Sequence, residues 1–302
     1  MDAVLIQCIV VLYKQDPAHA RSLTSLLSVC AAEPGLASKI RIAVHDNSPY
    51  PAPFENRPTL PHIDYEHFPA NPGLAVAYNR ALSIAQDRNI PWLLTLDQDT
   101  AVDRNFLHRL LAALESDLAA QACAFVPQLV NDGVVLSPQI VGGVLYHRLP
   151  LGFYGFSHKP LVAFNSASCL KVDSVAKIGG FPAEYWLDYL DHIVFHKLQA
   201  AGGRVFVLDA RLQHSLSMQY LEAEVSIDRY VNVLAAEWRY VRDTSSLKGR
   251  LVHRTRLLKR STLHAFRLKN KSYAFHTLRA AIQVRFPRTV PSDAGKETTP
   301  GS

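Results

Sequence analysis

A chain of 302 residues, 48% of them hydrophobic and 19% charged, has material for one large α/β domain or two smaller ones, which excludes a wholly disordered protein. Four scattered cysteines without a C-x-x-C read as reduced core thiols of a cytosolic protein, and no run approaches the roughly 18 apolar residues of a membrane span. The net charge of +6 is uneven: residues 241–290 hold 13 Lys and Arg against the single acid Asp243, which leaves the remainder at −6.

Leu5 to Leu12 (LIQCIVVL) predicts a buried first strand, since no basic region or cleavage site marks it as a signal peptide. Its loop, Tyr13 to Pro17, opens a helix through about Cys30. Ile40 to Val44 predicts a second strand, ending in His45-Asp46-Asn47-Ser48-Pro49, and a Pro-rich loop runs on to Pro61. Ile63 to Phe68 is a third strand; the turn Asn71-Pro72-Gly73 then releases a helix over Leu74 to Arg88. Strands alternating with helices from the start indicate a parallel, right-handed α/β sheet. No G-x-G-x-x-G or G-x-x-x-x-G-K-[ST] accompanies it, so a nucleotide would be held by side chains and a metal.

The chain turns on Trp92-Leu93-Leu94-Thr95-Leu96-Asp97-Gln98-Asp99-Thr100, an apolar strand that stops at two carboxylates. Residues i and i+2 of an extended segment face the same way, so Asp97 and Asp99 can converge on one cation at the strand's carboxyl end. Two oxygen donors without a thiol suit Mg²⁺ or Mn²⁺ better than zinc. The plainer reading is an N-cap and a turn acid.

After Asp103 a helix is expected to about Ala120, then a strand over Ala122 to Val130 and the turn Asn131-Asp132-Gly133. Gly142 to Gly155, rich in Gly and aromatics, reads as a mobile loop over a site. Leu161 to Leu170 reads as one strand whose small residues Ser166, Ala167 and Ser168 permit either close ligand approach or tight packing. A short helix from Lys171 to Ile178 closes at Gly179-Gly180.

A second acidic cluster follows in Glu184-Tyr185-Trp186-Leu187-Asp188-Tyr189-Leu190-Asp191-His192. Asp188, Asp191 and His192 have the spacing of one helix face, with Asp188 either an N-cap or a carboxylate base. His192 and His196 share the zincin spacing, but Ile193 stands where its Glu would be. Arg204 to Leu208 predicts a last strand, and His214 beyond it is a loop histidine or a third ligand for the cation of Asp99. Met218 to Tyr240 reads as a long helix, and the basic segment after it interleaves Leu and Phe with Arg and Lys as an amphipathic surface helix does. Such a segment meets a membrane leaflet or nucleic acid, or else packs on the core with its basic face in solvent. The last residues, from Pro287 on, are polar enough to stay disordered.

In this order, IVVLYKQ, VHDNSP, NPGLAVAYNRAL, LLTLDQDT and IGGFPAEYWLDYLDHIVFHKLQAAGG resemble the inverting sugar-nucleotide transferases of glycosyltransferase family two. Within it they look most like the bacterial rhamnosyltransferases of cell-surface polysaccharide such as lipopolysaccharide. The resemblance covers about residues 4–216 and implies a GT-A fold, with residues 1–216 as the transferase domain, 217–290 as a helical basic extension and 291–302 as a disordered tail.

It also implies the roles. Tyr13 lines the nucleotide pocket, Asp46 reads the base, and Asn71, Gly73 and Asn79 shape the turn beside it. Asp97 faces the ribose or metal, Asp99 binds the Mg²⁺ or Mn²⁺ that bridges the diphosphate, and His214 completes that site. Asp188, slightly preferred, or Asp191 is the base; Ser166, Ser168 and Trp186 belong to the acceptor side. The implied reaction moves L-rhamnose from dTDP-rhamnose to a hydroxyl of a saccharide or lipid-linked oligosaccharide. The alternatives are UDP-galactose, UDP-galactofuranose or a UDP-N-acetylhexosamine as donor, or, more remotely, a nucleotidyltransferase. The partners expected are the nucleotide-sugar donor, the acceptor and an anionic membrane surface met through residues 241–290, with no nucleic acid; the place is the inner face of the cytoplasmic membrane. Lys14, Ala167, Lys197 and Asp243 depart from the pattern.

Overall fold

The computed structural model describes residues 3–52, 54, 61–214 and 225–282. The expected disordered tail, part of the Pro-rich loop and the first residues of the helix expected from Met218 lie outside them. By its internal contacts the chain divides into two compact units, residues 1–215 and 216–302.

The first unit begins with β1 (Ile6–Leu12), α1 (Arg21–Ala32), α2 (Pro34–Ala37), β2 (Ile40–Asp46), β3 (His62–His67), α3 (Leu74–Asp87) and β4 (Trp92–Asp97). These strands pair in parallel in the order β3-β2-β1-β4. Every residue of β1 is buried, because helices cover both faces of such a sheet. The apolar side of α3 repeats at helical spacing through Ala75, Tyr78, Ala81, Leu82 and Ala85.

Next come α4 (Arg104–Leu114), α5 (Leu118–Gln121), β5 (Ala124–Asn131), β6 (Val134–Ser137), β7 (Gln139–Gly142), β8 (Leu145–Arg148), β9 (Gly155–Phe156), β10 (Leu161–Val162), β11 (Ser168–Lys171), α6 (Val172–Lys177), α7 (Leu190–Ala200) and β12 (Val205–Gln213). Asp103 caps α4 by accepting from the Phe106 N–H at 2.7 Å. The helix expected to reach Ala120 breaks into α4 and α5. At the turn between β5 and β6, Asp132 and Gly133 both take positive φ, 48° and 75°, as a two-residue hairpin turn requires.

Two expectations fail here. Leu161 to Leu170 is not one strand: β10 joins β7 and β8 in a separate three-stranded sheet, the chain turns at Asn165 to Ala167, and β11 enters the main sheet. There it runs antiparallel between β4 and β5, so the sheet is mostly parallel with one reversed strand in the middle. The stretch Gly142 to Gly155, expected as a mobile loop, contains β8, whose pairing with β7 makes a hairpin. The four cysteines lie buried in this unit.

In the second unit the described residues form α8 (Ile227–Thr244), α9 (Leu247–Arg267) and α10 (Ser272–Ile282). Ser226 and Ser246 cap α8 and α9 with their hydroxyls. Glu237 on α8 takes both arms of the Arg260 guanidinium, at 2.7 and 2.8 Å, and the Trp238 indole donates to the Ala280 carbonyl at 2.6 Å. Among the described residues no helix is long and apolar enough to cross a membrane.

Candidate active site

Parallel strands deliver their carboxyl ends to one edge, where loops gather polar groups. Asp46 ends β2 level with Leu12 of β1, and Asp97 ends β4 level with Val11. Asp46 is fully buried and accepts from the Ser48 N–H at 2.9 Å and the Tyr65 hydroxyl at 2.6 Å. Its oxygens brace the loop after β2 and the Tyr65 hydroxyl of β3. On the other side of this loop the Lys14 N–H donates to Ser48 Oγ, and the Tyr13 N–H to Gln98 Oε1, both at 2.8 Å. The residues after β1 are thus held from both flanking strands, with Lys14 in a left-handed conformation at φ 50°.

Asp97 is held differently. Ser166, brought over by the turn before β11, donates its hydroxyl to Asp97 Oδ2. Thr95 fixes that turn: its hydroxyl donates to the Asn165 carbonyl at 2.6 Å, and its own carbonyl accepts from the Ala167 N–H at 2.9 Å. Ala167 is buried at φ 62° in a place better suited to glycine. Ser168 spends its hydroxyl on the Phe164 carbonyl at 2.5 Å and so supports the turn. Burial, with the charges of Asp99 and Asp191 added and against the Ser166 bond, pushes the Asp97 carboxyl up to about 6.

The influence of Asp191 means that the second acidic cluster comes to the same place. What brings it there is a clasp between α3 and the segment before α7. The Leu74 N–H donates to the Trp186 carbonyl at 2.8 Å, and the Trp186 indole to the Asn71 carbonyl at 3.2 Å. A Cβ on Gly73 would lie 2.3 Å from the Trp186 ring, and Gly73 takes φ 90°, so only glycine fits. Lower down, the Asn79 amide pairs with both backbone groups of Phe181, at 2.7 and 2.9 Å. Asn71, Gly73 and Asn79 therefore anchor the 180–186 segment.

Asp188 is not on a helix face: α7 starts only at Leu190, after its N-cap residue Tyr189 at φ 61°. Asp191 stands in the first turn of α7, its Oδ1 2.7 Å from His192 Nδ1. The His192 ring packs edge-on against Tyr146 of β8. Tyr78 of α3 is fully buried, its hydroxyl turned toward Asp97 but outside the geometry of a good hydrogen bond. Burial and the charges of Asp97 and Asp191 push that phenol well above its usual range.

Residues 8–164, just over half of the chain, match the family model for glycosyl transferase family 2. The chain belongs to that family. It is a glycosyltransferase with the expected mixed α/β fold of GT-A type, a mostly parallel central sheet flanked by helices. A solved structure, S. aureus TarS 1-349 in complex with UDP-GlcNAc, is similar at TM-score 0.55 and 14% identity, covering 91% of this chain and 79% of that one. No curated protein matches the chain.

In this transferase Asp99, two residues beyond Asp97, is exposed. The neighbouring Thr100 hydroxyl lies 2.8 Å from His214 Nδ1. Burial holds the His214 imidazole below its usual value, with Asp99 pulling the other way. Among the described residues no three His, Cys, Asp or Glu side chains converge as a preformed metal site. Mg²⁺ and Mn²⁺ do not require one, since they bind through one or two carboxylates together with substrate phosphates. Asp97 under the charges of two further acids, and Asp99 open to solvent near the His214 imidazole, fit a divalent cation that arrives with a diphosphate.

Sequence reasoning missed Tyr78, Gln98, Thr95 and Tyr65, and did not foresee the contact of His192 with Asp191. Tyr78 had a signal: it is the one hydroxyl-bearing residue on the otherwise aliphatic buried stripe of α3. The others are read only when strands and loops lie side by side.

Proposed function

We propose that the transferase is an inverting enzyme in which Asp191 is the base. The observation that carries this reading is that the segment before α7 is pinned to the start of α3 through Trp186 and Leu74, which sets Asp191 where its charge acts on Asp97. Asp191 is preferred because it stands in the first turn of α7 and its charge acts on both Asp97 and Tyr78. Its carboxylate takes the proton of an acceptor hydroxyl while that oxygen bonds to the anomeric carbon. The bond from that carbon to the nucleoside diphosphate breaks on the opposite side, and the electron pair leaves with the phosphate. A single displacement inverts the anomeric centre, and general-base help of this kind contributes roughly 10²–10⁴ in rate.

Asp99, with Asp97 and His214 beside it, would hold Mg²⁺ or Mn²⁺, which supplies Lewis-acid neutralisation of diphosphate charge. Tyr13 and the loop braced by Asp46 would border the nucleotide, while Ser166 holds Asp97 in one orientation. Trp186, fixed by its bond to Asn71, would wall the acceptor side.

For the donor, the resemblance to rhamnosyltransferases supports L-rhamnose from dTDP-rhamnose. A UDP-N-acetylhexosamine is the second reading, favoured by the UDP-GlcNAc bound to similarly folded TarS. The acceptor is a saccharide, either free or linked to a lipid diphosphate at the inner face of the cytoplasmic membrane, with the basic segment after residue 240 as the part that meets the membrane. The test is a thermal-shift screen of dTDP- and UDP-sugars with and without Mn²⁺, then turnover with the stabilising donor and NMR of the product anomer. Retention of configuration, or turnover by the Asp191→Asn enzyme at the wild-type rate, would overturn the mechanism.

A further inference from the structure

From Leu247 to Ile282 the sequence has no Asp or Glu. The two helices of this stretch, α9 and α10, turn one face inward and leave an apolar row on the other. On α9 the inward side holds His253, Leu257 and Ser261, while Leu247, Leu251 and Leu258 repeat at i, i+4 and i+11 on the outward side, with Phe266 beside that line. Leu247 is 80% exposed and Phe266 83%. On α10, Phe275, Leu278 and Ile282 repeat at i, i+3 and i+7, opposite the buried Ala274, Thr277 and Ala281; Phe275 is 61% and Ile282 66% exposed. Lys248, Lys259, Arg267, Lys269 and Arg279 are exposed among them.

Cations alone would suit any polyanion. Exposed Leu, Ile and Phe side chains gain nothing against a phosphate backbone, whose contacts are polar, whereas at a bilayer the charges meet anionic head groups and the apolar rows enter the acyl boundary below them. We propose that α9 and α10 are the membrane-docking surface of the transferase, and that docking depends on insertion of these apolar rows as well as on charge. This deepens the membrane clause of the proposed function and is independent of the donor and of the base.

The test sediments the full chain with vesicles of phosphatidylglycerol and phosphatidylethanolamine, and with phosphatidylcholine alone, at low and high salt. The comparison variant is the triple change Leu251→Ser, Phe266→Ser and Phe275→Ser. The expected result is binding to the anionic vesicles that salt weakens without abolishing, and a loss of at least about tenfold in the triple variant, from the burial each side chain forfeits. Thermal unfolding and turnover on a water-soluble acceptor should stay at wild-type values, which separates a failure of docking from a failure of the transferase reading. Wild-type binding that high salt abolishes, equal binding by the triple variant, no binding to anionic vesicles, or nucleic acid bound as tightly as the vesicles would each overturn the proposal. The pair Lys248→Glu and Lys259→Glu, at exposed positions, serves as a second variant and should also lose at least tenfold.

Discussion

Asp97 at the edge of the sheet and Glu237 within α8 are both acids drawn largely out of water, one in each unit, and the protein treats them in opposite ways. Burial alone would push Glu237 up, but the two-armed contact with Arg260, with His253 and Arg256 added, holds it below the usual carboxylate range. Asp97 has a serine hydroxyl and two further acids for company, and is pushed up to about 6. A buried acid compensated by the chain's own guanidinium is a fixture of the fold. One surrounded by acids waits for a positive partner from outside, and such perturbed groups gather at functional sites.

The largest effect that would sharpen this contrast is on turnover. Asp191→Asn should lower kcat by roughly 10²–10⁴ in a steady-state assay with the nucleotide sugar, while Asp188→Asn should cost less than about tenfold. The reverse order would move the base to Asp188.

On stability the largest change should come from the compensated acid. Glu237→Ala takes from Arg260 the carboxylate that holds both its arms and should cost about 3–5 kcal/mol by chemical denaturation, and replacing Glu237 and Arg260 together by Met should recover most of that loss.

Asp97→Asn should act the other way. A carboxyl whose folded value is raised binds more protons folded than unfolded between about pH 4 and pH 6, so stability falls as pH rises through that window. In EDTA the Asn variant should therefore be more stable than wild type by about 1–3 kcal/mol at pH 8 and nearly equal to it at pH 4, while losing activity. Added Mn²⁺ should narrow the gap at pH 8 if a cation relieves the repulsion.

Smallest is the clasp: Asn79→Ala removes two hydrogen bonds to Phe181 and should cost about 1–2 kcal/mol. The loss in kcat should exceed what that destabilisation explains, because Asp191 is placed through the segment the clasp holds.

Much of the first unit was legible along the chain. Apolar runs such as Ile6–Leu12 and Trp92–Leu96 announce buried strands, and an acid at the end of a parallel strand reaches the binding edge whatever the loops do. The reversal at Asn165 to Ala167 was not legible, because small polar residues in an apolar run look like a strand until Thr95 claims their backbone. Asp188 was misread for a related reason. Its spacing to Asp191 is helical, but Tyr189 takes a left-handed turn that delays the helix to Leu190.

What the sequence by itself determined is the set of chemical parts: two acidic strand ends, a glycine at position 73, a second acidic cluster and an acid-free basic end. Only the tertiary structure decided which acid is neutralised and which is left exposed to its own kind. The charge state of a carboxylate depends on what stands a few ångströms away, and, Asp99 aside, the groups that act on Asp97 and Glu237 come from residues many positions distant in the chain.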